Sequence, residues 1–241
     1  MRDVRFIMLE LDRVNSSPLI LSENNLLRSG IEELRFSCLG VALLDIDALV
    51  TPNTPLFTPR EAGRASQMGP RGLKNFTAAR VALKILSRQL GLVKTNRPDG
   101  TIETLGHDAV KPCLAESGIY CSVSHSARFV VVVAHRYPIG VDIEAISGKT
   151  LRTRHLFLGP EEQELLSFSD LGPERTITRA WTIKEAATKA FGLQLLETFH
   201  EVKIFKIGEK EGSVKYRGRT FPVRHAEGEG QVITLITADT L

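Results

Sequence analysis

The apolar run from Ile139 to Ile146, IGVDIEAI, carries two carboxylates, Asp142 and Glu144, two positions apart. Strand side chains alternate faces, so both acids project from one side while Val141 and Ile143 go to the other. Side-by-side acids repel unless water or a cation lies between them. Taken alone, the pair fits a solvated strand face as well as half of a divalent metal site. Glu185, a third carboxylate on a later helix, tips the balance toward metal. Three hard oxygen ligands suit Mg²⁺ or Mn²⁺ better than zinc. Mg²⁺ usually completes its octahedron with water and substrate phosphate oxygens. The trio Asp142, Glu144 and Glu185 therefore predicts a phosphate-bearing substrate.

Other residues could serve the same chemistry. Glu185 and Lys189 lie four apart on one helix face, the spacing of a surface ion pair worth about a few tenths of a kcal/mol. Trp181 is one turn earlier on the same stripe, which suggests that this face is buried at a site. A lysine there could neutralise phosphate charge in a transition state. Ser124-His125-Ser126 offers small hydroxyls, backbone N–H groups and an imidazole, a reasonable phosphate cradle. A nucleophilic serine is disfavoured because the chain has no GxSxG elbow, and a polar β-turn is the plain alternative. Arg80, with Lys74 and Lys84, makes a basic helix face, and most such faces are solvated. Lys111-Pro112 falls in a loop and says little by itself.

The elements that must position these residues follow from periodicity and turn chemistry. Residues 1 to 35 give no firm assignment. Phe36 to Leu49 reads as a strand, and Thr51 to Pro59, with three prolines, as a loop. Thr58-Pro59-Arg60-Glu61 has the cap, proline and third-position acid of a helix start. Gly69-Pro70 breaks that helix. A second is expected from Asn75 to Leu90, with Phe76, Ala79, Ala82, Leu83, Leu86 and Leu90 on one stripe and Gly91 as the stop. Residues 94 to 117 are polar and turn-rich. Strands are expected at Gly118 to Val123, Arg128 to His135 and Ile139 to Glu144, the last two joined as a hairpin through Arg136-Tyr137-Pro138. Gly159-Pro160 starts a short helix. Pro173 opens a longer one that carries Trp181, Lys184, Glu185 and Lys189, and Gly192 closes it. The tail is strand-like at 200–207, 213–216, 220–224 and 231–238. Helix followed by strands in both halves suggests an α+β fold of two similar lobes, with the seam near Pro138.

Composition bounds the rest. The 241 residues are 42% apolar and 24% charged, which is ordinary for a soluble globular protein. A net charge of +3 permits an anionic ligand without demanding one, and no Lys/Arg block reads as a nucleic-acid arm. Three cysteines, widely spaced and without CxxC, argue against a disulfide framework or zinc site. No signal-peptide run or membrane span is visible, so the expectation is a cytoplasmic enzyme with neither nucleic acid nor membrane as partner.

The pieces together resemble the signature of the 4′-phosphopantetheinyl transferases, a G-[IV]-D stretch and a later [WF]-[ST]-x-K-E-[SA]-x-x-K. Here these read Gly140-Val141-Asp142 and Trp181-Thr182-Ile183-Lys184-Glu185-Ala186-Ala187-Thr188-Lys189. The length is similar to that of the larger, pseudo-dimeric type that activates polyketide, nonribosomal peptide or fatty-acid carrier domains. Tyr120 to Ser126 resembles that type's strand and Ser-His-Ser turn, Lys111-Pro112 its Gly-Lys-Pro loop, and Thr58 to Glu61 with Asn75 to Arg80 its N-lobe helices. The resemblance covers residues 57 to 200.

It implies two lobes, 1–138 and 139–241, each a small antiparallel sheet packed with helices, with the site between them. It implies transfer of phosphopantetheine from coenzyme A to a serine of an apo acyl or peptidyl carrier protein, by a monomer. Asp142, Glu144 and Glu185 would hold Mg²⁺ (or Mn²⁺), Glu144 directly or through water. Arg80, Lys111, Ser124, His125 and Asp142 would bind coenzyme A. Glu185 would take the serine proton and Lys189 would stabilise charge as 3′,5′-ADP leaves. Three departures stand out. Val110 replaces the glycine before Lys-Pro. Gly192 to Leu196 replaces a longer segment that in relatives helps dock the carrier. Phe157 to Glu161 matches the family's Phe-Ser-x-x-Glu only at its ends. A non-catalytic module binding coenzyme A or a carrier, and an unrelated metal-dependent phosphohydrolase, are the alternatives.

Overall fold

The structure is a computed structural model that describes residues 19–21, 34, 37–47, 49, 55–106, 108, 111–114 and 117–238. Val110, residues 51–54 of the expected proline loop and part of the turn-rich stretch lie outside these.

Two sheets form the centre. Strands β1 (Leu19–Leu21), β2 (Gly40–Asp45), β3 (Tyr120–His125) and β4 (Phe129–His135) make the first, in the order β1-β2-β4-β3. Strands β5 (Ile139–Ala145), β6 (Lys203–Lys206), β7 (Glu211–Tyr216), β8 (Arg219–Gly228) and β9 (Gln231–Thr237) make the second, in the order β5-β9-β8-β7-β6. Except for the parallel pair β1–β2, every pairing is antiparallel. The expected hairpin between β4 and β5 does not form. Arg136-Tyr137-Pro138 instead carries the chain from one sheet to the other. There β5 pairs with β9, from Ile139 opposite Thr237 to Ala145 opposite Gln231. Turn chemistry gives a change of direction but cannot choose between a near partner and a distant one.

The sheets pack face to face and each is covered by helices on its outer side. Val41, Leu43, Phe129, Val131 and Val133 of the first sheet share a buried cluster with Ile139, Val141, Ile143, Ala226, Ile233 and Leu235 of the second. The opposite face of the first sheet, Ala42, Leu44, Val130, Val132 and Ala134, packs on Ala78, Ala82, Leu83 and Leu86 of helix α2 (Pro70–Gln89). Both faces of β4 are therefore buried, which is why Phe129 to Ala134 is apolar without alternation.

Helix α1 (Pro59–Ala65) starts as expected, with a capping box between Thr58 and Glu61. Helix α2 begins five residues earlier than its apolar stripe suggested. Gly69-Pro70 is its N-cap and first position, where proline's missing N–H costs nothing. After α3 (Gly148–Thr153) come α4 (Pro160–Ser167) and the long α5 (Pro173–Phe191). Gly192, at φ 67°, gives α5 the left-handed cap that favours glycine. A further helix, α6 (Leu195–Glu201), occupies residues expected to be partly strand. Among the described residues no helix is long and apolar enough to cross a membrane.

Candidate active site

Gly140, Asp142 and Glu144 share the face of β5 that looks toward α5, while Val141 and Ile143 enter the core between the sheets. This is the facing that the alternation predicts. The helix comes unusually close. A Cβ on Gly140 would overlap the Ala186 carbonyl oxygen and stand 2.7 Å from the Ala190 amide nitrogen. The approach brings Lys189 to Asp142. Its ammonium donates to Asp142 Oδ1 at 2.9 Å and to the Val141 carbonyl at 2.8 Å.

Ser124 donates to the same Oδ1 at 2.6 Å, and one turn of the pleat earlier Ser122 Oγ accepts from the Val141 amide at 3.1 Å. The two serines thus stitch β3 of the first sheet to β5 of the second. Asp142 is 4% exposed, and its Oδ2 is buried without a hydrogen-bond partner.

Glu144 and Glu185 are half-buried beside it. Burial, and then repulsion from Asp142, push the Glu144 carboxyl above the ordinary carboxylate range. A hydrogen bond from the Trp181 side chain opposes the shift and Glu185 adds to it. Burial and Asp142 likewise push Glu185 up, against the pull of Lys189. Trp181 is braced edge-on by Phe157, at a centroid distance of 5.0 Å, and by Phe199 at 6.0 Å.

The three acids feel one another electrostatically, yet among the described residues no three His, Cys, Asp or Glu side chains stand ready-made as a metal cage. Their chemistry nonetheless fits a divalent cation. The set consists of hard oxygens, one of them a buried orphan, and the repulsion within it is what a cation would relieve.

His125 is exposed at the end of β3, 3.4 Å from the Asn75 side chain of α2. Its imidazole is pushed down, first by desolvation. The nearby charges Lys189 and Arg71 act in the same direction, against Asp142. Arg71, exposed in the first turn of α2, is a cation beside the site that the sequence did not single out.

Two sequence candidates, Arg80 and Lys84, are buried where a solvated face was expected, and Lys111 lies in its expected loop. Arg80 is 5% exposed, and its guanidinium donates to the Thr104 carbonyl at 2.6 Å and to Thr104 Oγ1 at 3.2 Å, with Phe76 beneath it. Lys84 is no part of a solvated face. It is buried against Glu61 at 2.7 Å. Lys111 is exposed, at the end of a short ladder in which Gly106 N donates to its carbonyl and Leu105 bridges Pro112.

The acid that matters structurally near the family's Phe-Ser-x-x-Glu is Glu162, not the exposed Glu161. Glu162 caps Gly159 at 3.0 Å, accepts from the Ile204 amide at 2.8 Å and pairs with buried Lys184 at 2.7 Å. The available signal was the pair of helix starts Thr58-Pro59-Arg60-Glu61 and Gly159-Pro160-Glu161-Glu162, each followed by a lysine on the next long helix.

Residues 138–236 match the sequence model of the 4′-phosphopantetheinyl transferase superfamily. The chain is similar to enterobactin synthase component D of Escherichia coli O157:H7, 31% identical over 50% of this chain and 60% of that protein. It is similar to 4′-phosphopantetheinyl transferase HetI of Nostoc sp. (strain PCC 7120), 34% identical over 51% of this chain and 54% of the other. To 4′-phosphopantetheinyl transferase gsp of Aneurinibacillus migulanus it is 29% identical over 45% and 46%. The similarity thus spans 46% to 60% of the length of these relatives.

Proposed function

We propose that this chain is a member of the 4′-phosphopantetheinyl transferase superfamily and transfers the 4′-phosphopantetheine group of coenzyme A to a serine hydroxyl of an apo acyl or peptidyl carrier protein. The observation that carries the proposal is Asp142. It is a buried carboxylate with one oxygen clamped by Ser124 and Lys189 and the other unpartnered, flanked by two acids that its charge disfavours. Such a set would suit a divalent cation and, through it, phosphate oxygens.

Asp142, Glu144 and Glu185 would hold Mg²⁺ or Mn²⁺, which would polarise the pyrophosphate oxygens and lower the charge met by the incoming nucleophile. His125, Arg71 and the exposed Lys111 would bind coenzyme A phosphates, with Asn75 orienting the imidazole. Glu185 would take the carrier serine's proton, its raised affinity for protons suiting a general base. The serine oxygen then bonds to the phosphorus nearest the pantetheine, and the bond from that phosphorus to the bridging oxygen breaks. The electron pair leaves with 3′,5′-ADP. Lys189, fixed by Val141 and Asp142, meets the charge that develops on the departing phosphate.

The pseudo-dimeric division into 1–138 and 139–241 is part of the proposal, as are a monomeric state and a cytoplasmic location. A repeated clasp supports the division. Glu61 at the start of α1 pairs with Lys84, 23 positions on, and accepts from the Thr104 amide, 43 positions on. Glu162 at the start of α4 pairs with Lys184, 22 positions on, and accepts from the Ile204 amide, 42 positions on.

The test is transfer of labelled phosphopantetheine from coenzyme A to a panel of apo carrier proteins with Mg²⁺ present. Label should appear on a carrier serine, and chelation should abolish it. Glu185→Gln should cut the rate by about a hundredfold or more with the fold retained. No transfer to any carrier, or a wild-type rate in Glu185→Gln, would overturn the assignment.

A further inference from the structure

Thr104 uses every polar atom it has. Its amide donates to Glu61 Oε1 at 3.1 Å and to Glu103 Oε1 at 3.0 Å. Its hydroxyl donates to Glu61 Oε1 and accepts from Arg80 Nη1. Its carbonyl accepts from Arg80 Nη1 at 2.6 Å and from the Cys113 amide at 3.0 Å. Thr104 and Glu61 are 0% exposed, so none of these bonds competes with water.

Behind them Lys84 locks Glu61 and donates to the Asp99 carbonyl at 2.8 Å. In front of them runs the ladder Thr104–Cys113, Leu105–Pro112, Gly106–Lys111. Arg60 pins its far end by donating to the Gly106 carbonyl at 2.7 Å. Lys111 closes this ladder.

We infer that Thr104 is a positioning residue for coenzyme A. Through it Glu61 and Arg80 fix the loop that presents Lys111, and Arg80 acts on the cofactor by way of Thr104 rather than by touching phosphate. The inference rests on the proposed role of Lys111 as a coenzyme A contact. It follows from where the hydrogen bonds go. Arg80 has its back to solvent, and its guanidinium is committed to a residue two ladder rungs from Lys111. A loosened rung leaves Lys111 attached but unplaced, so binding falls while the chemistry at Asp142 and Glu185 is untouched.

The test is calorimetric titration of coenzyme A, without carrier, into full-length wild type and variants, with thermal melts alongside. Thr104→Val should weaken binding about tenfold, the scale of one buried hydroxyl losing its partners, and Thr104→Ser should bind within about twofold of wild type. In a Lys111→Ala background Thr104→Val should add less than about twofold, because the effect passes through Lys111. In the transfer assay Thr104→Val should raise the KM for coenzyme A by about the factor by which it weakens binding, and lower kcat far less. Arg60→Ala removes only an exposed bond, so it serves even if Thr104→Val does not fold. It should weaken binding roughly two- to threefold, and not at all without Lys111. Wild-type affinity in these variants, or an undiminished penalty in the Lys111→Ala background, overturns the inference. A wild type that binds no coenzyme A overturns the site assignment itself, and the inference with it.

Discussion

Lys184 and Lys189 stand five positions apart in one signature, and their surroundings divide their work. Lys184 is fully buried, held by Glu162 and the Val202 carbonyl, whereas the side chain of Lys189 is 28% exposed and turned to Asp142. Lys184→Met would leave Glu162 charged and alone in the core, and should cost about 3–5 kcal/mol in urea unfolding. Lys189→Met should cost less stability than that, because Lys189 is partly solvated and Ser124 still donates to Asp142, but should reduce transfer about a hundredfold. Equal losses of stability would refute the division. The motif names both lysines and cannot separate them, because burial is a property of the packed helix. His225 lay outside every motif, yet it is buried beside the Arg179 guanidinium, and desolvation with that charge pushes its imidazole down to about 3. In the folded state it stays neutral where the unfolded chain, with a pKa near 6.5, takes up a proton. The unfolded state therefore binds more protons between those values. Stability from this group is complete above about pH 6.5 and is lost as pH falls toward 3, at up to about 1.4 kcal/mol per pH unit. Urea unfolding at pH 7.5 and 5.5 should differ by about 1 kcal/mol less in His225→Asn than in wild type. Identical acid slopes would show that the imidazole is not buried neutral.

At the scale of elements, the site depends on how closely α5 can lie on β5. Ala186 and Ala190 give the helix a flat side and Gly140 gives the strand a matching hollow, so Lys189 and Glu185 reach Asp142. Gly140→Ala has no room for its methyl against helix backbone. It should force α5 outward, lowering stability by about 1–3 kcal/mol. Transfer measured well below the melting temperature should fall at least about tenfold more than the folded fraction does, because an ångström of misplacement at the acids is enough. If activity tracked only the folded fraction, the close approach would matter for packing alone. Much of this was legible in the chain. Alternation placed Asp142 and Glu144 on one face, and the helical period put Trp181, Glu185 and Lys189 on one stripe. What could not be read was the contact itself. Gly140 reads as a weak strand residue until a helix lies across it. Likewise Arg80 and Lys84 read as a polar face until residues 99 to 104 fold over them.

At the scale of the molecule, the proposed lobes are divided by sequence but not by core. Val41, Leu43, Phe129, Val131 and Val133 bury themselves on Ile139, Val141, Ile143, Ala226, Ile233 and Leu235. Arg128 bridges the edge of this seam, pairing with Asp45 at 2.7 Å and Glu229 at 2.8 Å. Local patterning foresaw the strands on both sides. It missed the seam because β4 and β5, adjacent in sequence, face each other across sheets instead of pairing within one. Parting the lobes would expose eleven apolar side chains that are now at most 4% accessible. At roughly 1.5–3 kcal/mol for each large one, that exceeds the stability of a domain of this kind. Neither half should therefore stand alone. Calorimetry of the full chain should give one transition with calorimetric and van't Hoff enthalpies in agreement. Residues 139–241 expressed alone should unfold without cooperativity and bind a hydrophobic dye. Two resolved transitions, or a cooperative melt of the 139–241 fragment, would mean that each lobe carries its own core. Asp142 and Glu144 of β5 and the Ser124 that orients Asp142 would then be held together only by the β3–β5 side-chain bonds, and lobe separation would abolish the proposed transfer without unfolding either half.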